Sequence, residues 1–210
     1  MAKKLALLFA GLVAALTLSF AAWAADYPTR PITLIVPHKA GGPSDVIARV
    51  LGGMERGGKR PDPPKLAQAT VRAAVAEAGR RWPDVPLIAG GKSFGGRMTS
   101  QAQAATPLLG VRGLAFFGFP LHPPKQPSQE RGRHLFDVQL PMLFFQGTRD
   151  ALASLDELEP LCQELGKRAT LRLFDGADHS FHVPAKSGRT DAQVMSEMLD
   201  AFTAWTDKTI

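Results

Sequence analysis

The chain has 210 residues, of which 45% are hydrophobic and 21% charged, a make-up that fits one globular core and leaves no room for several. Its formal charge of +6 is carried by basic residues scattered through Arg56 to Arg60, Arg80-Arg81, Lys125 to Arg133 and Lys167-Arg168. No basic stripe interleaved with aromatics emerges, so a nucleic-acid partner is not expected and the charge reads as solvated surface. Cys162 is the only cysteine, which excludes an intramolecular disulfide and a cysteine-rich metal site.

Taken from the amino end, Lys3 and Lys4 precede an apolar run from Leu5 to Phe20, and the triplet Ala22-Trp23-Ala24 follows. Charged start, apolar run and small-residue triplet together predict a secretory signal over residues 1–25, cleaved near Ala24-Ala25. The run is short for a bilayer span and no stop-transfer pattern follows it. A periplasmic or secreted protein is therefore expected, with no stable membrane insertion after cleavage.

Residues 26–52 read as strand, glycine turn and helix. Ile32 to Val36 is β-branched, Gly41-Gly42-Pro43 forms the turn, and Ser44-Asp45 caps a helix predicted to run through Val50. With Tyr27, Pro28, Arg30, Pro31, Val36, Pro37, Gly41, Gly42, Asp45, Ala48 and Arg49 in place, the stretch resembles the opening of mature Bug-type periplasmic receptors of tripartite tricarboxylate transporters. That resemblance ends near Gly52.

A composition break follows. Gly53 to Pro64 is dense in glycine, proline and charge and continues neither helix nor strand. Within 53–210 the pattern is regular: a helix from Lys65 to Trp82, a strand Val85 to Ala89, a helix after the glycines ending before Pro107, and a strand Gly113 to Phe119. A proline-rich loop follows, then a strand Pro141 to Gln146, a helix Leu152 to Leu165, a strand Ala169 to Phe174 and a helix Asp191 to Trp205. Alternation at this spacing predicts an α/β fold, a mostly parallel sheet with helices on both faces.

The stretch LIAGGKSFGGRM, Leu87 to Met98, carries the densest glycine cluster. A phosphate-binding loop would need a glycine where Pro86 stands, and the pattern fails there. Read instead as Gly91-Lys92-Ser93-Phe94-Gly95 between a strand and a helix, it fits a nucleophile elbow, in which a Cβ at position 91 or 95 would strike neighbouring backbone. Such an elbow needs an acid and then a histidine at later strand ends, where active sites of open α/β sheets gather. Asp150 follows the strand Pro141 to Gln146, just past Gly147 at its exit, and His179 follows the strand that ends in Phe174. Asp156, Asp175 and Asp178 are rival carboxylates, and Asp150 also suits a helix cap. His182 is the rival base, while His38, His122 and His134 sit in loops without partner spacing. Phe116, Phe117, Phe119 and Phe181 suit an acyl pocket and a packed core equally well.

The segments IAGGKSFGGRMTS, GLAFFGFPLHPP, PMLFFQGTRDAL and DGADHSFHVPAKSGRT resemble the small α/β-hydrolase-like domain of bacterial dienelactone-hydrolase relatives and the KANL3/Tex30 group, over about residues 53–205. The resemblance implies an α/β-hydrolase fold with Ser93, Asp150 and His179 as catalytic triad and no cofactor or metal. It implies a serine hydrolase, carboxylesterase-like, acting on a small-molecule ester or acyl substrate through an acyl-enzyme. The backbone N–H of Phe94 would be one oxyanion donor. Family members take the second from an HGAG-type loop after an earlier strand, and here the Bug-like segment stands in that place, so the N-terminal strands look truncated or replaced. Val36-Pro37-His38-Lys39-Ala40-Gly41-Gly42 is the available mimic, with Lys39 as donor. The rival classes are a carboxylate-binding receptor fragment, supported by the N-terminus alone, and an inactive fusion product; oligomeric state is not readable.

Overall fold

The structure, a computed structural model, describes residues 32–37, 46–49 and 63–209. Residues 1–25, with the expected signal, lie outside them, as do Lys39 and the loop that carries it.

One six-stranded sheet organises the chain, in the order β2-β1-β3-β4-β5-β6. Its strands are β1 (Ile32–Pro37), β2 (Val46–Arg49), β3 (Leu87–Lys92), β4 (Val111–Phe117), β5 (Met142–Gly147) and β6 (Ala169–Phe174). Strands β3 to β6 are parallel. Between them run helices α1 (Pro64–Arg81), α2 (Phe94–Ala105) and α3 (Leu155–Leu165), and α4 (Asp191–Thr209) closes the chain.

Faces alternate along the central strands with the period of two that a pleated strand imposes. Ala89, Leu114, Phe116, Met142 and Phe144 point to one side, where they join Val71, Val75 and Ala78 of α1, Ala102 of α2 and Leu158, Leu161 and Leu165 of α3. Ile88, Ala115, Leu143 and Phe145 point to the other, against Val194, Met198, Phe202 and Trp205 of α4. Both faces are apolar because both are covered, as a parallel sheet requires. Cys162 is buried in the first core, and desolvation together with the nearby Glu159 pushes its thiol up to about 12; it packs as a small apolar residue.

Two features depart from the sequence reading. Strand β3 continues through Gly90, Gly91 and Lys92, three residues past the predicted end. A Cβ on Gly90 would lie 2.0 Å from the Ala115 carbonyl oxygen of β4, so these glycines serve close strand approach before they serve the turn. Within the helix predicted to run through Val50, Val46–Arg49 is instead β2, paired antiparallel with β1 from Ile32↔Arg49 to Ile35↔Val46. Val46 and Ile47 are β-branched and suited to a strand, and ladder bonds to β1 outweigh the weak capping signal of Ser44-Asp45.

Candidate active site

The nucleophile candidate stands at the junction of β3 and α2. Ser93 has φ 50° and ψ −121°, a left-handed-side conformation that costs a non-glycine residue about 1–3 kcal/mol and persists only where surroundings enforce it. The enforcement is visible on both sides. The Ser93 N–H donates to the Phe117 carbonyl at 3.0 Å, and the Ser93 carbonyl accepts from Arg97 N–H at 3.2 Å. The turn is so tight that a Cβ on Gly96 would lie 2.6 Å from the Gly91 carbonyl oxygen, and one on Gly91 would lie 3.0 Å from Gly96 N. Of Gly90, Gly91 and Gly96, the severest clashes thus fall at Gly90 and Gly96.

The chain delivers the other two residues from β5 and β6. Asp150 lies three residues beyond Gly147, its side chain fully buried. His179 lies in the turn after β6. His179 Nδ1 is 2.7 Å from Asp150 Oδ2, and His179 Nε2 is 2.8 Å from Ser93 Oγ. The structure therefore brings Ser93, His179 and Asp150, far apart in the chain, into one hydrogen-bonded series.

Close backbone approach makes that meeting possible. A Cβ on Gly147 would lie 2.3 Å from the Ala177 carbonyl oxygen, and one on Gly118 (φ +69°) would lie 3.3 Å from the imidazole. Arg149 N–H donates to the Ala177 carbonyl at 2.9 Å, tying the loop of Asp150 to that of His179. The histidine turn is fixed from within: Asp178 Oδ1 accepts from the N–H groups of Ser180 (2.7 Å) and His182 (3.0 Å). Phe181, at φ 63°, is anchored against Phe174 at a ring distance of 5.7 Å.

The rivals are occupied elsewhere. His182 pairs with Asp191 at 2.9 Å on the surface, and that carboxylate raises its pKa. Asp178 holds its turn, Asp175 accepts from Thr148 at 3.3 Å, and Asp156 sits in the first turn of α3. The cap of α3 is Ser154, so Asp150 does not cap it. His122 is buried, accepting from Ser154 N–H at 2.8 Å and bonded to the Pro123 carbonyl at 2.8 Å. His38 lies outside the described residues.

A second serine–histidine pair is built differently. Ser100 Oγ lies 2.7 Å from His134 Nε2, but its hydroxyl donates to the Arg97 carbonyl at 2.9 Å. Ser100 is wholly buried, and among the described residues no carboxylate bonds His134. Desolvation, with Arg97 adding repulsion, pulls His134 down to about 4. The imidazole stays neutral and fastens the 3₁₀ segment Glu130–Asp137 onto α2.

One residue of the site went unnoticed in the sequence. Gln146, fully buried at the end of β5, donates its amide to Asp150 Oδ2 and accepts from Phe119 N–H at 2.9 Å. Leu152 N–H donates to Asp150 Oδ1 at 2.8 Å. The only hint was a lone amide closing the apolar run Met142 to Phe145.

Phe94 opens α2, and the first N–H groups of a helix lack intrahelical partners and face its positive end. Pro37, the last residue of β1, pairs antiparallel with Leu87, at the end of β3 opposite to Ser93. Six strand residues span about 17 Å; Lys39, expected as the second donor, lies outside the described residues. Phe116 and Phe119 are buried in the first core and Phe181 in the second; Phe117 is half-exposed at the end of β4. No cluster of metal-ligating side chains occurs among the described residues, and no helix among them is long and apolar enough to cross a membrane.

The chain is similar to a lidless α/β serine hydrolase from Xanthomonas campestris, at 22% identity and a TM-score of 0.51 over 69% of this chain and 59% of that one. It is also similar to dienelactone hydrolase from Anabaena variabilis, at 18% identity and a TM-score of 0.51 over 67% of this chain and 60% of that one. The chain thus spans about three-fifths of the length of these structures. The model of the alpha/beta hydrolase domain matches residues 52–207, and with the parallel sheet, the covering helices and the strand-to-helix turn at Ser93, the chain belongs to the α/β-hydrolase family.

Proposed function

We propose that the chain is a serine hydrolase acting on a carboxylic ester or related small acyl substrate. The observation that carries this reading is the contact of Ser93 Oγ with His179 Nε2 at 2.8 Å, with Asp150 at 2.7 Å behind the same ring. His179 takes the proton from Ser93 as Oγ bonds to the carbonyl carbon, and Asp150 holds the ring and balances the imidazolium. The imidazolium returns that proton to the departing alcohol as the acyl–oxygen bond breaks. Water, deprotonated by the same ring, then releases the acid and restores Ser93.

The negative oxygen of each tetrahedral intermediate falls to Phe94 N–H. No second donor is assigned among the described residues, and loss of one donor lowers turnover about 10²–10³-fold. Slow hydrolysis is expected. The leader at 1–25 and the Bug-type opening belong to the same proposal: an exported enzyme, periplasmic or secreted, whose mature terminus after Ala24 or Ala25 would be read by amino-terminal sequencing of the exported protein.

A fluorophosphonate probe with intact-mass readout tests the reading. One adduct on the folded protein, lost in Ser93→Ala, supports it; folded protein that takes no label overturns it.

A further inference from the structure

Arg97 stands one helical turn beyond Ser93, joined to it through the Arg97 N–H bond to the Ser93 carbonyl. Its guanidinium carbon lies 5.8 Å from the centre of the Phe94 ring, on the residue that offers the oxyanion N–H. The side chain is half-buried, and its Nε is shielded from solvent with no hydrogen-bond acceptor. A buried donor left without an acceptor is costly, more so when it carries charge.

Arg131 carries a second cation on the 3₁₀ segment Glu130–Asp137. The 3₁₀ segment that carries it is fastened to α2 by the Ser100–His134 bond at 2.7 Å. The desolvation of Arg97 and the charge of Arg131 both lower the Arg97 pKa. Among the described residues no carboxylate pairs with Arg97 or Arg131, although Arg133, two residues on, pairs with Glu130 at 2.8 Å. The like charge of Arg131 acts on an Arg97 guanidinium that is already partly desolvated, and that effect is repulsive. A bound anion would relieve it, and the planar fork of arginine fits oxyanions in a bidentate manner.

The geometry points to an anion subsite at Arg97, completed by Arg131, that takes a carboxylate or phosphate borne by the substrate beside its scissile ester. This deepens the reading of Ser93 as nucleophile and rests on it for the word substrate. The preferred substrate class becomes a half-ester of a short dicarboxylic acid, or an ester carrying a phosphate.

The test has two arms. In the first, kcat/KM is compared for mono-p-nitrophenyl glutarate and p-nitrophenyl butyrate. The expected result is a preference for the anionic ester that drops at least about tenfold in Arg97→Met, as loss of a charge-assisted bond predicts, and that weakens as salt is raised. Turnover of the neutral ester with no anionic preference, or with a preference that Arg97→Met leaves intact, overturns the subsite and spares the hydrolase reading. In the second arm, glutarate and inorganic phosphate are titrated onto full-length protein and the arginine Nε–H signals are followed by NMR, which needs no turnover. A saturable shift of the Arg97 signal that weakens in Arg131→Gln supports the subsite, and its relative size with each anion tells carboxylate from phosphate. An Arg97 signal that moves with neither anion overturns it. Should Arg97→Met fail to fold, Arg97→Lys keeps the charge and removes the fork, and the same loss of preference is expected from it.

Discussion

The side-chain amide of Gln146 donates to the Asp150 oxygen that also meets His179 Nδ1. Gln146 in turn is pinned by Phe119 N–H at 2.9 Å, so the carboxylate is oriented from the strand that carries it and from the loop after β4. Its side-chain bonds go to Asp150 and Phe119 and not to Ser93 or His179, so Gln146 acts as a positioning residue.

Gln146→Leu removes a bond to a charged acceptor and leaves Phe119 N–H without its partner. Turnover is expected to fall about 10–100-fold, the equivalent of about 1.5–3 kcal/mol, and Gln146→Glu is expected to shift the pH–rate profile by placing a second carboxyl against Asp150. Steady-state kinetics across pH checks both. A profile that does not move in Gln146→Glu would limit the residue to a packing role.

Asp150→Asn preserves shape but offers His179 Nδ1 an amide where a carboxylate stood. Turnover should fall about 10⁴-fold through the wrong imidazole tautomer and the lost counter-charge. Labelling of Ser93 by a fluorophosphonate should slow in parallel. Comparable rates in variant and parent would remove Asp150 from the proposed triad.

The glycines sort into opposite stability classes. Gly90→Ala and Gly96→Ala drive a Cβ to 2.0 Å and 2.6 Å from backbone oxygens, and each should lower stability by several kcal/mol, about 2–5, because neither the sheet nor the elbow can give way cheaply. Gly79 lies inside α1, and a Cβ added there would meet nothing within 4 Å. Gly79→Ala should therefore stabilise by about 0.5–1 kcal/mol. Urea midpoints of the three variants test the ordering.

His134 governs part of the acid limb. Its pKa in the fold is depressed to about 4 from an ordinary 6.5, so between those values the unfolded chain binds the extra proton and the folded chain does not. Stability therefore falls as pH drops through that window, by up to about 3 kcal/mol. His134→Gln keeps a donor for Ser100 without the titration, and its urea midpoint should change less from pH 6.5 to pH 4. An identical acid dependence in variant and parent would assign the loss to other groups.

The strands and helices from Lys65 onward were legible because apolar periodicity and glycine–proline punctuation are local properties, and β6 begins and ends where the sequence places it. So were the three site candidates, since residue type at a strand's carboxyl end is written in order along the chain. What the sequence left open was decided by contact. Whether Asp150 or Asp178 faces the imidazole depends on Gly147 admitting the Ala177 backbone, and whether Gln146 is filler or clamp depends on its meeting Phe119, 27 residues away. The segment Val46–Arg49 became a strand because a neighbouring β1 was there to pair with it, a fact no local signal holds. The serine was announced by its glycines; the direction of β1, the orientation of the acid and the bare charge of Arg97 exist only once the sheet has formed.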